Sequence, residues 1–192
     1  MSTDTESGAY INDARYARLV ALWQQAIGDH VEGTRPADGG LAQLLYCEAR
    51  ALDERRYDEW LAQYTAQCVI WVPAQAEPVD PRRATGIYLD DRRRMEDRVA
   101  MVRTGHLHAQ TPPSRTRRMV TNIEQWVDPQ AGCVVLRANL VIWEHRKGLT
   151  RAWPGYQVVE ISQPANGSPL IANKIICLLE RDAPQGNYTF IL

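Results

Sequence analysis

Hydrophobic residues recur at helical spacing in four segments, all within the first 105 residues. The pattern predicts a helix from Tyr10 to about Gly28, then the linker GDHVEGTRPADGG, then a second helix that starts near Leu41. A third helix is predicted over ERRYDEWLAQYT with Asp53 as its cap, and a fourth within IYLDDRRRMEDRVAMVRTG, ending at Gly105. The apolar stripes are Tyr16, Leu19, Val20, Trp23, Ala26 and Ile27; Leu41, Leu44, Leu45 and Leu52; Tyr57, Trp60, Leu61 and Tyr64; and Met95, Val99 and Val102.

Beyond residue 105 the spacing changes to alternation of apolar and polar residues, which predicts strands. The predicted strands in this part of the chain are residues 116–127, 132–146, 151–162 and 169–181. One short strand, CVIWVP, is predicted earlier in the chain and ends at Pro73. Helices followed by a long antiparallel meander predict an α+β fold with the helices packed on one face of the sheet. We expect residues 1–40 to be an amino-terminal extension with one helix and a linker, and residues 41–192 to be a single domain.

The predicted strand 132–146 has two different faces. One face carries Val134, Leu136, Ala138, Leu140 and Ile142, which alternate along the strand and should face the helices. The other carries Cys133, Val135, Arg137, Asn139, Val141, Trp143 and His145. This second face is too apolar for a purely solvated surface, and strand 169–181 is apolar on both faces. We therefore expect a partner to cover it.

Composition and charge narrow the classes of function without choosing one. The chain has 192 residues, 45% hydrophobic and 23% charged, as is typical of one globular domain. A formal net charge of −1 gives no general attraction for nucleic acid or an anionic membrane. The polar start MSTDTESGAY does not resemble a signal peptide, no apolar run approaches a membrane span, and the four cysteines lack metal-ligand spacing. We therefore expect a cytoplasmic protein.

Two histidines offer the most distinct candidate chemistry. His106 and His108 could bind a metal ion together with Asp90 or Asp91, as in an iron site of two histidines and one carboxylate. No third ligand stands at suggestive spacing, so local hydrogen bonding is the simpler interpretation. Alternatively, Tyr88, Asp91 and one of the histidines could act as acid and base in a pocket closed by the helices.

Arginines are concentrated in one segment. Eight of them fall between Arg92 and Arg118, against two acidic residues, Glu96 and Asp97. Such a run could bind an anion or a nucleic acid, but the segment has no aromatic residue on which a base could stack. Arginines that pair with acidic groups, in this chain or in a partner, are the favoured interpretation.

Several segments together resemble the small (beta) subunit of bacterial aromatic ring-hydroxylating dioxygenases. They are YCEARALDERRYDEWLAQYT, IWVPA, IYLDDRRRMEDRVAMVRTG and TPPSRTRRMVTNI. The closing NYTFIL is similar to the hydrophobic carboxyl terminus of those subunits, and the order and spacing agree from about Leu41 to Leu192. The most specific part is EDRVAMVRTG at this distance from PPSRTRR.

The resemblance implies a cone-shaped α+β fold of the nuclear-transport-factor-2-like (NTF2-like) or scytalone-dehydratase type. It implies an alpha subunit that holds a Rieske [2Fe-2S] cluster and a mononuclear iron, while the beta subunit holds neither cofactor nor catalytic residues. Electrons come from NADH through a reductase, often with a ferredoxin, and O₂ is added to an aromatic ring to give a cis-dihydrodiol. The resemblance also implies a trimer of this chain within an α3β3 hexamer.

The resemblance also singles out individual residues. The matching residues are Arg92, Asp97, Arg98, Arg103, Arg115 and Arg117. They are expected to form ion pairs that fix the fourth helix to the sheet, or to reach the alpha subunit. Arg137 and Trp143 are our candidates for the seam between copies, because interface cores favour Trp and Arg. No family role is carried over to His106 or His108, and the aromatic substrate stays open.

Two other classes of function fit the same predicted fold. One is a stand-alone dehydratase, isomerase or cyclase, which would need a convergent set of polar side chains inside the cone. The other is a binding module for a small apolar ligand. A neighbouring gene that encodes a CxH…CxxH cluster motif and an iron site of two histidines and one aspartate would favour the dioxygenase.

Overall fold

The computed structural model of the chain describes residues 11–28, 31–104, 110–183, 188 and 190–192. Within these residues the helices are α1 (Asp13–Ile27), α2 (Gly39–Asp53), α3 (Tyr57–Ala62) and α4 (Arg92–Arg103). The strands are β1 (Arg35–Pro36), β2 (Tyr64–Pro73), β3 (Gly86–Asp91), β4 (Arg115–Val127), β5 (Val134–Arg146), β6 (Leu149–Ser162) and β7 (Leu170–Leu178).

The described strands form one seven-stranded sheet in the order β1-β4-β5-β6-β7-β2-β3. Neighbouring strands run antiparallel, except β2 and β7, which are parallel. Lys147 and Gly148 join β5 to β6 with φ angles of 49° and 77°, as a two-residue hairpin with both central residues left-handed requires. The predicted α+β class and the four long strands are confirmed, with strand ends that agree to within three residues.

Helices α2, α3 and α4 pack on one face of the sheet, which we call the inner face. Leu45, Trp60 and Met95 from these helices meet Leu136 and Val159 of the sheet in one buried cluster. Leu136 and Ala138 of the predicted apolar row of β5 lie in this cluster and face the helices, as predicted. Leu140 and Ile142 are buried on the same face of the sheet, but in a second cluster with Val72, Trp153 and Leu192. Val134, the first residue of the row, is half-buried.

Helix α1 lies on the opposite face of the sheet, which we call the outer face. Its residues Leu19, Leu22 and Trp23 are fully buried against a cluster that includes Val135 and Ile175. The prediction that the helices share one face is therefore wrong for α1. The reason is that the outer face is itself apolar in this region and matches the apolar stripe of α1.

Three local predictions also differ from the structure. The segment IYLDD, predicted with the fourth helix, instead belongs to β3, which pairs with β2. Helix α4 begins only after Asp91, whose side chain accepts a hydrogen bond from the Arg94 backbone N–H (2.9 Å). Two residues of the predicted linker form β1 on the edge of β4. Asp53 does not cap α3, because α2 continues through it and its carboxylate turns to β4. Gly105, the predicted end of α4, lies outside the described residues.

Candidate functional site

A buried ion pair occupies the space between α2 and the inner face. Glu48 of α2 accepts hydrogen bonds from Lys174 Nζ (2.7 Å), Tyr64 OH (2.7 Å) and Trp60 Nε1 (3.2 Å). The side chains of Glu48 and Lys174 are 2% and 3% exposed. Burial raises the pKa of the Glu48 carboxyl, but the charge and hydrogen bond of Lys174, with help from Tyr64, hold that pKa below its ordinary value.

The surroundings of the Glu48–Lys174 ion pair indicate a structural role. Burial lowers the pKa of the Lys174 amine, and Glu48 opposes that shift. The neighbours that donate to Glu48 Oε1, which are Lys174, Tyr64 and Trp60, are themselves buried. Removing one member would leave the other as an isolated charge in the core, which costs about 3–5 kcal/mol. The pair therefore fixes α2 to β7.

Half of the outer face is covered by α1, and we call it the covered half. It comprises Val69, Trp71, Trp126, Val135, Val158, Ile175 and Cys177, all at most 4% exposed. Trp23 of α1 packs edge-on against Trp71 with ring centroids 5.2 Å apart, and its Nε1 donates to Tyr156 OH (3.0 Å). The covered half is therefore part of the hydrophobic core of the single chain.

Arg18 fastens α1 to the covered half. Its guanidinium donates to the Asp128 carboxylate and pairs with Glu160 at 2.9 Å. The Asp128 side chain is fully buried and also accepts from the backbone N–H groups of Gln130 (2.8 Å) and Ala131 (3.2 Å). Burial raises the pKa of Asp128, but the hydrogen bonds from Arg18 and the backbone outweigh it and lower that pKa to about 2.

The rest of the outer face is open, and we call it the bare half. It comprises Met119, Val141, Trp143, Pro154 and Leu179. Cross-strand pairing places Met119 opposite Val141, Val141 opposite Pro154, and Leu179 donates its backbone N–H to Pro154. Met119, Trp143 and Leu179 are 54%, 45% and 63% exposed. A contiguous apolar surface of this kind marks an interaction site.

The predicted residues of α4 anchor that helix with different partners. Arg92 donates to the backbone oxygens of Leu61 (2.7 Å) and Tyr64 (3.3 Å), which ties α4 to the start of β2. Arg98 pairs with Asp90, and its guanidinium carbon lies 4.6 Å from the centre of the Tyr88 ring.

The last two predicted residues of α4 lie at the surface. Arg103 pairs with Asp58 at 2.7 Å, where both side chains are largely exposed. Asp97 is exposed and makes no ion pair with a residue that the structure describes. A subunit contact by Arg103 or Asp97 stays a prediction.

The predicted arginines of β4 are not the buried ones. Arg115 and Arg117 are exposed, whereas the neighbouring Arg118 is 3% exposed at its side chain. Arg118 donates its backbone N–H (2.8 Å) and its Nη1 (2.5 Å) to the Asp53 carboxylate, and Thr116 Oγ1 donates to the same group (2.8 Å). The ion pair that fixes α2 to β4 is therefore Arg118–Asp53, which the sequence analysis did not identify.

The two predicted seam residues sit in different surroundings. Trp143 projects from the bare half, directly opposite Arg117 on the neighbouring strand. Arg137 is half-buried at the border with the covered half, and its guanidinium carbon lies 5.1 Å from the centre of the Tyr156 ring. The structure thus brings Trp143, but not Arg137, into the bare half.

The predicted metal site falls partly outside the structure. His106 and His108 lie outside the described residues. Both carboxylates considered as partners already have roles, because Asp90 binds Arg98 and Asp91 caps α4. Within the described ranges, no group of three His, Cys, Asp or Glu side chains could hold a metal ion. In the same ranges, no helix is long and apolar enough to cross a membrane.

Comparison with known proteins defines the family. The family model described as "Ring hydroxylating beta subunit" matches residues 47–183, well over half of the chain. The chain therefore belongs to the beta subunits of ring-hydroxylating dioxygenases, and the predicted family is confirmed.

Two curated relatives match part of the chain. The benzoate 1,2-dioxygenase subunit beta of Acinetobacter baylyi is 37% identical over 44% of this chain and 53% of the relative. The 2-halobenzoate 1,2-dioxygenase small subunit of Burkholderia cepacia is 40% identical over 42% of this chain and 52% of the relative. In both cases the match spans about half the length of the curated relative.

A solved structure confirms the fold. The beta subunit of benzoate 1,2-dioxygenase from Burkholderia mallei aligns with a TM-score of 0.63, covering 82% of this chain and 99% of that chain at 24% identity. Together with the helices and the mainly antiparallel sheet, this likeness confirms the predicted α+β, NTF2-like fold.

The polar side chains whose ion pairs hold helices to the sheet were not predicted from the sequence. They are Arg18, Glu48, Asp53, Arg118, Asp128 and Lys174. One signal was present: Lys174 is one of only two lysines in the chain and stands in the apolar segment ANKIICLL, where a charged residue needs a buried partner.

Proposed function

We propose that this chain is the non-catalytic, structural beta subunit of the terminal oxygenase in a multicomponent aromatic ring-hydroxylating dioxygenase. The family match over residues 47–183 is the observation that carries the proposal. The beta-subunit relatives favour it over a stand-alone enzyme with a pocket in the cone. Glu48 and Lys174, the buried ion pair of the inner face, hold α2 to the sheet.

In this proposal the chemistry belongs to a partner alpha subunit. The alpha subunit would hold the Rieske cluster and the mononuclear iron and add O₂ to an aromatic ring to give a cis-dihydrodiol. Electrons would reach it from NADH through a reductase, with or without a ferredoxin. The beta chain would supply neither cofactor nor catalytic residue and would work in the cytoplasm. Its contribution would be the assembly on which the alpha subunits sit.

The bare half supports self-association as the way in which this assembly forms. Leaving apolar surface in water costs about 25 cal/mol per Å², and monomers rarely tolerate large contiguous patches. Closed cyclic symmetry is the usual means of burying a repeated patch. Among cyclic assemblies, the resemblance to dioxygenase beta subunits implies a trimer, and we expect this trimer to carry three alpha subunits.

The assembly is tested by light scattering on the chain alone and on the chain co-expressed with the alpha subunit from the adjacent gene. Wild type should give three times the monomer mass alone and an α3β3 mass with alpha. Met119→Glu puts a charge on an exposed apolar residue of the bare half and should reduce the mass of the isolated chain to that of a monomer, with an unchanged circular dichroism spectrum. Val127→Glu is the matched control, because Val127 is 60% exposed but lies outside the bare half.

Two outcomes would count against the proposal. If the wild-type chain is monomeric across the micromolar range, the predicted trimer is wrong. The proposed structural role is wrong if the chain never co-purifies with the alpha subunit, or if it carries stoichiometric iron when purified alone.

A further inference from the structure

A groove crosses the end of the sheet where α2 finishes and β4 begins. It has a volume of about 570 Å³ and is lined by side chains that include Arg115, Arg117, Trp143 and His145. We call it the end groove. It adjoins the bare half, with which it shares Trp143.

The carboxylates at the end groove already have partners. Asp53 is held by Arg118 and Thr116, as described above. Glu144 accepts a hydrogen bond from Ser114 Oγ (2.5 Å), and Glu54 pairs with Arg56 at 2.9 Å. Asp53 and Glu54 are therefore paired with arginines other than Arg115 and Arg117, and Glu144 is buried against Ser114.

Three arginines of the same groove are exposed and make no ion pair with a residue that the structure describes: Arg55, Arg115 and Arg117. Arg55 donates to the Ser114 backbone oxygen (2.6 Å), and Arg117 donates to the Thr116 backbone oxygen (2.9 Å), which leaves most of the Arg117 guanidinium free. Trp143 lies directly opposite Arg117 and is 45% exposed. The end groove therefore presents guanidinium groups without carboxylate partners, and those of Arg115 and Arg117 lie on the side of the Trp143 indole.

We infer that the end groove binds an acidic segment of the alpha subunit, in which an Asp or Glu side chain reaches Arg115 and Arg117 and a neighbouring apolar side chain packs on Trp143. Arginine and tryptophan are the residues that dominate binding energy at protein interfaces. A guanidinium donates two parallel hydrogen bonds to a carboxylate, so the ligand chemistry is a carboxylate rather than a cation. The inference deepens the proposed function and rests on it.

The position of the end groove favours the alpha subunit over a second copy of this chain. The row Met119, Val141, Pro154 and Leu179 of the bare half is the surface expected to be buried between copies. The end groove meets the bare half at Trp143 and extends from there to the arginines at the start of β4, whose free charge does not suit an apolar seam. A free inorganic anion would need the arginines only and would leave Trp143 exposed.

The experiment measures the affinity of the purified beta trimer for the immobilised alpha subunit from the adjacent gene. Arg115→Glu/Arg117→Glu should bind roughly 100-fold more weakly than wild type, because two charge-assisted contacts become repulsive. Arg117→Glu alone should have an intermediate effect. Arg93→Glu is its matched control, since Arg93 is exposed on α4 and makes no ion pair with a described residue. Salt should weaken wild-type binding more than binding by the double variant.

Light scattering and circular dichroism separate a binding defect from a folding defect. If the charge reversals do not fold, Arg115→Gln/Arg117→Gln takes their place, and roughly tenfold weaker binding is expected. A folded double variant that binds alpha within threefold of wild type overturns this inference and leaves the proposed function standing. A wild-type trimer that does not bind alpha overturns both. Retention of wild type on single-stranded DNA at physiological salt, lost in the double variant, would assign the end groove to nucleic acid instead.

Discussion

The covered half and the bare half belong to one sheet face but differ in what lies over them. Trp71 and Val135 in the covered half are at most 1% exposed, because α1 packs on them. Met119, Trp143 and Leu179 in the bare half are between 45% and 63% exposed. The strands beneath carry apolar residues in both halves. The difference lies in the second layer, which the described part of the chain supplies for one half only.

This difference separates two uses of an apolar sheet face. In the covered half, burial of the face contributes to the stability of the single chain, and Arg18 fixes the helix that achieves it. In the bare half, the same kind of surface would stabilise an assembly, since no residue of this chain that the structure describes covers it. A substitution in the covered half should therefore act on folding, and one in the bare half on association.

The largest expected effect is that of Trp23→Ala. Trp23 is fully buried between α1 and the sheet, so its truncation should lower the free energy of unfolding by about 3–5 kcal/mol. Urea unfolding followed by circular dichroism measures the change. Ile27→Ala is the control, because Ile27 lies on the same helix but is 47% exposed and should cost less than about 1 kcal/mol. Equal losses for both variants would mean that α1 does not form the covering layer.

An intermediate effect is expected at the anchor of α1. Arg18→Met leaves the fully buried Asp128 carboxylate with backbone donors and the Gln25 side chain but no cation, which should cost about 2–4 kcal/mol. The variant should also change the response to acid. Asp128 has a pKa of about 2 in the folded protein against an ordinary value of 3.8. Because the folded pKa is the lower one, the contribution of this carboxylate to stability is complete above about pH 4 and is lost as the pH falls towards 2.

The acid response is measured by unfolding at several pH values. Wild type should lose this contribution between about pH 4 and pH 2, whereas Asp128→Asn, which has no group to titrate there, should lack that part of the loss. A wild-type protein and an Asp128→Asn variant with the same pH dependence over this range would show that Arg18 does not hold the carboxylate.

The elements in which apolar residues recur at a regular spacing could be predicted from the sequence. Alternation over β5 placed Leu136, Leu140 and Ile142 on the inner face, where they are buried. Helical spacing located α1 and α4. β3 was missed because six residues next to a helical segment are too short to show a period of their own. The segment is a strand because it pairs with β2, and this pairing is not visible in any local sequence pattern.

The anchors of the site could not be predicted in the same way. Glu48 and Lys174 are 126 residues apart, and their contact arises only when α2 is laid on the inner face. Arg115, Arg117 and Arg118 look alike in the sequence RTRR. Because β4 has no bulge in this stretch, its side chains alternate regularly, so that Arg118 points inwards to Asp53 and the other two point outwards. The expectation that Val135 awaits a partner chain was wrong, because α1 already buries it.

The smallest expected effect is that of Trp143→Ala in a chain that cannot associate. In the Met119→Glu background, Trp143 has solvent over one face and contributes mainly through cross-strand contacts with Arg117 and Ala152. Such contacts are worth about 0.2–1 kcal/mol, so the free energy of unfolding should fall by less than about 1 kcal/mol. Trp23→Ala in the same background should keep its full cost, because α1 covers it within one chain. If Trp143→Ala proved as costly as Trp23→Ala, the bare half would be a working part of the single-chain core, and the distinction between the two halves would fail.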